Sequence, residues 1–121
     1  VRENCVVTKE AEKYLKELPG PVTLILKLKN KKAIAQEVAP GKDSIGIRIP
    51  KHWFSFIVEE MGVPIITTSV NVTGKMFMTS SENLEEEIEL KVDFAVDEGE
   101  KNGRPSRIID LTGEEVSIKE R

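Results

Sequence analysis

Leu24, Leu26 and Leu28 alternate with other side chains along "VTLILKLK", and Ile45, Ile47 and Ile49 do the same along "SIGIRIP". An apolar residue at every second position turns one face of an extended chain towards a core. Two such runs in a chain of 121 residues commit it to building around a sheet. Breakers set their limits: Pro19-Gly20-Pro21 precedes the first run and Pro50 closes the second. The other face of the second run carries Ser44, Gly46 and Arg48.

Between and beyond these runs the spacing turns helical. Thr8 is placed to N-cap a helix through "KEAEKYLKEL", with Ala11, Tyr14, Leu15 and Leu18 along one face. "HWFSFIVEEMG" predicts a second helix with Trp53, Phe56, Ile57 and Met61 inward and Gly62 just past its end. His52 is expected near the start of that helix, in a surface or capping role. "VPIITTSV" predicts a short buried strand, and "SSENLEEEIEL" a helix capped by Ser80 or Ser81. "VDFAVD", "SRIIDL" and "EEVSIK" predict three more strands, the last two joined as a hairpin through Thr112-Gly113. The expected fold is α/β: one domain over residues 1–121, a mixed sheet with flanking helices.

Composition narrows the function classes. Hydrophobic residues make up 39% and charged residues 32%, as in a soluble globular protein. No apolar run approaches the ~20 residues that span a bilayer, so no membrane partner is expected. Cys5 is the only cysteine, which rules out an internal disulfide and suits a reducing, cytoplasmic setting. With a single histidine, a Ser-His-Asp set cannot be argued, and no local signature supports a Cys5–His52 pair. No metal-ligating set is expected: Asp93, Asp97 and Asp110 lack a diagnostic spacing. Residues 1–80 carry twelve Lys/Arg against eight acids, a net of +4, and residues 81–121 carry six against thirteen, a net of −7. That is a weak basic balance for a generic nucleic-acid binder. Lys27, Lys29, Lys31 and Lys32 read as a solvated edge.

Three segments could carry chemistry. "IITTSVNVTGK" leads an apolar strand into Thr67, Thr68, Ser69, Asn71, Thr73, Gly74 and Lys75. Ligands of open α/β sheets bind at the C-terminal edges of strands, where such groups would lie. The same hydroxyls can equally satisfy local backbone groups. The stretch is not a Walker loop, because Met76 follows the lysine and the spacing differs. In "DSIGIRIP", Arg48 offers a planar fork suited to a carboxylate or phosphate, and Gly46 leaves room beside it. In "DEGEKNGRPSRIID", Ser106 opens a strand and can face a cleft, with Arg104 and Arg107 adding positive charge.

Four stretches in register, "LPGPVTLILK", "SIGIRIPKH", "PIITTSVNVTGK" and "DEGEKNGRPSRIIDLTGEEVSI", resemble the YrdC-like family, whose members include threonylcarbamoyl-AMP synthases. The resemblance covers roughly residues 14–118. It implies a twisted α/β fold with a positively lined cleft. It also implies an enzyme that joins ATP, L-threonine and bicarbonate into L-threonylcarbamoyladenylate and pyrophosphate, with Mg²⁺ accompanying the nucleotide. A tRNA-modifying threonylcarbamoyl transferase complex would then modify adenosine at position 37 of certain tRNAs. No covalent enzyme intermediate is implied, and no catalytic residue is assigned.

Carried over by position, Arg48, Thr68 and Ser106 are expected to bind threonine, and Ser44, Ser69, Val70, Asn71 and Met78 to face ATP. The resemblance also admits a second reading, a double-stranded RNA-binding or regulatory module without synthase activity. Departures from the family pattern stand at Val70 in "TSVN", at Thr73 before Gly74, and at Arg107 in "PSR". A family arginine after the last strand aligns near Glu120, beside Arg121. The family's N-terminal strand-turn and Lys-x-Arg motif find no match, so the chain is expected to correspond to the C-terminal two-thirds of the domain.

Overall fold

The computed structural model describes residues 1–120, and Arg121 lies outside the described residues. These residues form two compact units, one built from 1–65 with 106–120 and one from 66–105.

The first unit holds a four-stranded mixed sheet in the order β2-β1-β3-β4. Its strands are β1 (Val22–Lys27), β2 (Ser44–Ile47), β3 (Arg107–Asp110) and β4 (Ser117–Lys119). β1 runs antiparallel to β2 and parallel to β3, with Leu24 opposite Ile47 on one side and Ile109 on the other. β3 and β4 form the expected hairpin, pairing Ile109 with Ile118. The alternation seen in the sequence is the alternation in space: Val22, Leu24 and Leu26 are buried while Thr23 and Ile25 are only partly so.

Helix α1 (Lys9–Leu15) is capped by Thr8, whose Oγ1 accepts from the Ala11 amide at 3.1 Å. Ala11 is fully buried, and Tyr14, Leu15 and Leu18 pack with Ile45 and Ile47 around Leu24, Leu26 and Ile109. Each fully buried leucine contributes roughly 1.5–3 kcal/mol of transfer free energy. Cys5 closes the cluster from the side, bridging to Leu28, and burial pushes its thiol up from the ordinary value.

Helix α2 (Phe54–Met61) ends at Gly62, which adopts the left-handed conformation expected of a C-terminal glycine. Trp53 holds the N-cap position without a side-chain cap bond, and His52, one residue earlier, lies at the surface and accepts from the Phe54 amide through Nδ1 at 3.2 Å. The inward face expected for α2 is not formed. Trp53, Phe56, Ile57 and Met61 are 46%, 70%, 41% and 54% exposed. The apolar stripe of the helix stays largely exposed. β2 is also shorter than expected and stops at Ile47, leaving Ile49 41% exposed.

The second unit departs further from expectation. "VPIITTSV" and "VDFAVD" form no strand, with Ile66 at 76% and Phe94 at 79% exposure. A strand exists only in a ladder, and among the described residues neither segment has a ladder partner. "SSENLEEEIEL" is not one helix. It divides into a 3₁₀ turn, Ser81–Asn83, and a short α3 (Glu86–Glu89). Ser80 and Asn83 form a reciprocal capping box at the turn, and Asn83 Oδ1 also accepts from the Thr79 amide at 3.0 Å. These bonds favour a tight turn over a continuous helix.

Candidate functional site

Strand parity sorts the first unit into two faces. Val22, Leu24, Leu26, Ile45, Ile47 and Ile109 turn towards α1 and the core. The paired positions Ile25 and Gly46, and Lys27 and Ser44, turn the other way. Arg48 follows β2 on that same alternation, and Ser106 precedes β3 on it. The two meet: Arg48 Nη1 lies 3.4 Å from Ser106 Oγ. Ser106 is the one buried polar residue among the described residues, at 7% exposure. Its hydroxyl therefore has a fixed surrounding, and it accepts from one edge of the guanidinium. Among the described residues no carboxylate pairs with Arg48. The rest of its donor fork is open to an anion.

Gly46 keeps this face shallow beside the guanidinium. A Cβ there would sit 3.4 Å from Thr23 Cγ2, at the tight end of ordinary contact. Ser44 shares the face two pleats away and is partly buried. On β3, Asp110 accepts from the Thr112 amide at 2.9 Å and its hydroxyl at 2.7 Å. Those two bonds, the hydroxyl first, hold the Asp110 carboxyl below the usual carboxylate range.

Thr68, Ser69, Val70, Asn71 and Met78 all lie in the second unit. Thr68 is exposed and Ser69 half-buried. The Met78 amide donates to the Val70 carbonyl at 2.9 Å, which brings these two together. Asn71 Nδ2 donates to the carbonyls of Val72 and Lys75 at 3.1 and 3.3 Å, leaving its Oδ1 as an acceptor. The Val72–Lys75 turn closes through a 2.9 Å backbone bond, with Gly74 at φ +87°. At that dihedral a side chain is strained, so the glycine is required. Lys75 is ion-paired with Glu85 at 2.9 Å.

Val70 and Met78 line a cavity of about 140 Å³ together with Thr79–Ser81 and the 96–101 loop. That is below the ~300 Å³ at which ligand pockets usually begin. Its walls are tied by Ser81 Oγ to Asp97 Oδ2 at 2.8 Å and by the Lys101 amide to the Thr79 carbonyl at 2.7 Å. The Gly99 amide, followed by the Ser81 hydroxyl, holds Asp97 below the usual carboxylate range. Before the structure, this clasp showed only as a polar loop of acidic residues and glycine.

A mixed sheet with an arginine and a buried serine on its open face, joined to a Thr/Ser/Asn-rich segment, matches known proteins. The chain belongs to the Sua5/YciO/YrdC family, whose model, described as "Telomere recombination", matches residues 1–121. A Methanocaldococcus jannaschii protein that carries the name threonylcarbamoyl-AMP synthase provisionally is 43% identical over 108 residues, covering 87% of this chain and 49% of its own length. The threonylcarbamoyl-AMP synthase of Pyrococcus abyssi is 32% identical over 109 residues, covering 88% of this chain and 32% of its own. The chain thus spans half or less of the length of these curated relatives. The crystal structure of P. abyssi Sua5 complexed with L-threonine superposes with a TM-score of 0.80 at 30% identity, over 93% of this chain and 34% of that one. Escherichia coli YciO gives 0.73 at 26% identity, over 99% and 59%.

Proposed function

We propose that this chain carries the amino-acid site of a threonylcarbamoyl-AMP synthase. The reaction joins L-threonine, bicarbonate and ATP into L-threonylcarbamoyladenylate, releasing pyrophosphate and water. The observation that carries the reading is the Arg48–Ser106 pair, an arginine fork without a protein carboxylate, steadied by a buried hydroxyl. A charge-assisted bidentate pair is the strongest contact such a fork makes with a carboxylate. The support from relatives is a neighbouring structure complexed with L-threonine.

In this reading Arg48 binds the threonine carboxylate, and Ser106 orients the guanidinium and contacts the same amino acid; the family resemblance gives Thr68 as a further threonine-binding residue. Ser44, Ser69, Asn71 and the backbone of Val70 and Met78 serve the nucleotide. The chain forms no bond to substrate. It lowers the barrier by holding reactants in place and by placing positive charge near developing negative charge. Among the described residues no cluster of three or more His, Cys, Asp or Glu could hold a metal ion. Mg²⁺, which the family resemblance implies, is assigned to the phosphates of ATP as part of that substrate, and no step is routed through protein ligands.

The product would pass to a tRNA-modifying threonylcarbamoyl transferase complex in the cytoplasm. No helix among the described residues is long and apolar enough to cross a membrane. The relatives named threonylcarbamoyl-AMP synthase favour this reading over a double-stranded RNA-binding module.

The test is calorimetric titration of L-threonine, with and without ATP-Mg²⁺, against the chain and its Arg48→Ala variant. Saturable binding that the variant loses is expected. Absence of threonine binding by the unaltered chain in both conditions contradicts the reading.

A further inference from the structure

The Arg48–Ser106 pair joins the residue after β2 to the residue before β3, two strands that do not touch because β1 lies between them. Something must fix both ends. The turn from Glu17 to Pro21 reaches each of them. The Gly20 amide donates to the carbonyl of Ile49, the residue after Arg48, at 2.8 Å. The Arg107 amide, one residue after Ser106, donates to the carbonyl of Pro21 at 3.2 Å. The turn itself is closely built: a Cβ on Gly20 would lie 2.5 Å from the Glu17 carbonyl oxygen, so only glycine fits there. Its start is held to α1 by the Glu17 amide, which donates to the Tyr14 carbonyl at 3.0 Å.

One further bond closes this frame. The Arg107 guanidinium donates to the Glu17 carboxylate, 90 positions apart in sequence. Strand alternation sends Arg107 to one side of the sheet and Ser106 to the other. Anchoring residue 107 by main chain and side chain fixes the direction in which residue 106 points. A slip of one residue would exchange the two faces.

We infer that the Glu17–Arg107 ion pair is a positioning device for amino-acid recognition: it fixes Ser106, and through it the Arg48 guanidinium. The inference rests on the synthase reading above for its ligand. Neither residue touches the amino acid in this account. The side chains are 37% and 38% exposed, so the effect is modest, roughly a two- to fivefold weakening of threonine binding when the pair is broken.

The experiment compares the unaltered chain with Glu17→Gln, Arg107→Gln and the charge exchange Glu17→Arg/Arg107→Glu. Two quantities are read: the Kd for L-threonine, and the NMR signals of the Ser106 amide and the Arg48 Nε–H in the ligand-free protein. Both single variants are expected to shift the two signals and weaken binding, and the exchange to restore them. Threonine binding unchanged in the single variants overturns the positioning role and leaves the synthase reading intact. If the unaltered chain binds no threonine, the synthase reading fails. The NMR signals then decide the inference alone, and unmoved Ser106 and Arg48 signals overturn it.

Discussion

Arg48 Nη1 stands 3.4 Å from Ser106 Oγ, across 58 positions of sequence and two strand interfaces. The contact is long for a hydrogen bond, and a neutral hydroxyl leaves the charge in place, so in the proposed site it orients the guanidinium without neutralising it. Arg48→Ala is therefore expected to cost threonine affinity heavily, by roughly 1.5–3 kcal/mol or about ten- to a hundredfold, as for a charged hydrogen bond. Ser106→Ala should cost less. Calorimetry on both variants checks the order, and an equal loss would deny the division of roles.

Gly46 shares the open face with Arg48, and a Cβ at that position meets Thr23 Cγ2 at 3.4 Å. A larger side chain would fill the space beside the guanidinium. Gly46→Val is expected to abolish threonine binding while the fold persists, because valine suits an edge strand. Circular dichroism and calorimetry on one sample separate these effects.

Core and surface should respond oppositely within the first unit. Leu24 has no exposed area, so Leu24→Ala should destabilise by roughly 2–5 kcal/mol. Phe56, at 70% exposure on α2, should change stability by no more than about 0.5 kcal/mol when replaced by alanine. Urea midpoints compared at constant m-value are the measurement.

Acid stability should depend on Asp110. Its carboxyl is held below the usual range by the Thr112 hydroxyl and amide, so the folded state favours the charged form. That stability is present above the unfolded carboxyl value, near ~3.9, and is lost as pH falls through the lower folded value. Asp110→Asn should flatten the acid limb of the stability profile and leave the neutral limb's slope unchanged. An unaltered acid limb would contradict the assignment.

The elements that the sequence announced are those whose partners are close or whose pattern needs none. β1 and β2 show their alternation directly, Thr8 marks the start of α1, and Thr112-Gly113 marks the hairpin. "VPIITTSV" and "VDFAVD" have strand composition, but a strand also needs a partner, which composition does not report. The stripe of Trp53, Phe56, Ile57 and Met61 announced an amphipathic helix without saying what covers it. At the site, Arg48 and Ser106 could each be singled out, Arg48 by its place between isoleucines and Ser106 by its place before a strand. Their meeting could not be read from the residues alone, because it depends on the β2-β1-β3 order. The Glu17–Arg107 bond left no local sign at all, since neither residue belongs to a motif for the other.

The most direct test of the central claim is an NMR titration of the isotopically labelled chain with L-threonine and, separately, with its methyl ester. Shifts are expected to concentrate at Gly46, Arg48, Ser106 and Ile108 with the free acid and to be strongly reduced with the ester, which lacks the carboxylate charge. Equal shifts for acid and ester, or shifts confined to residues away from this sheet face, would contradict it.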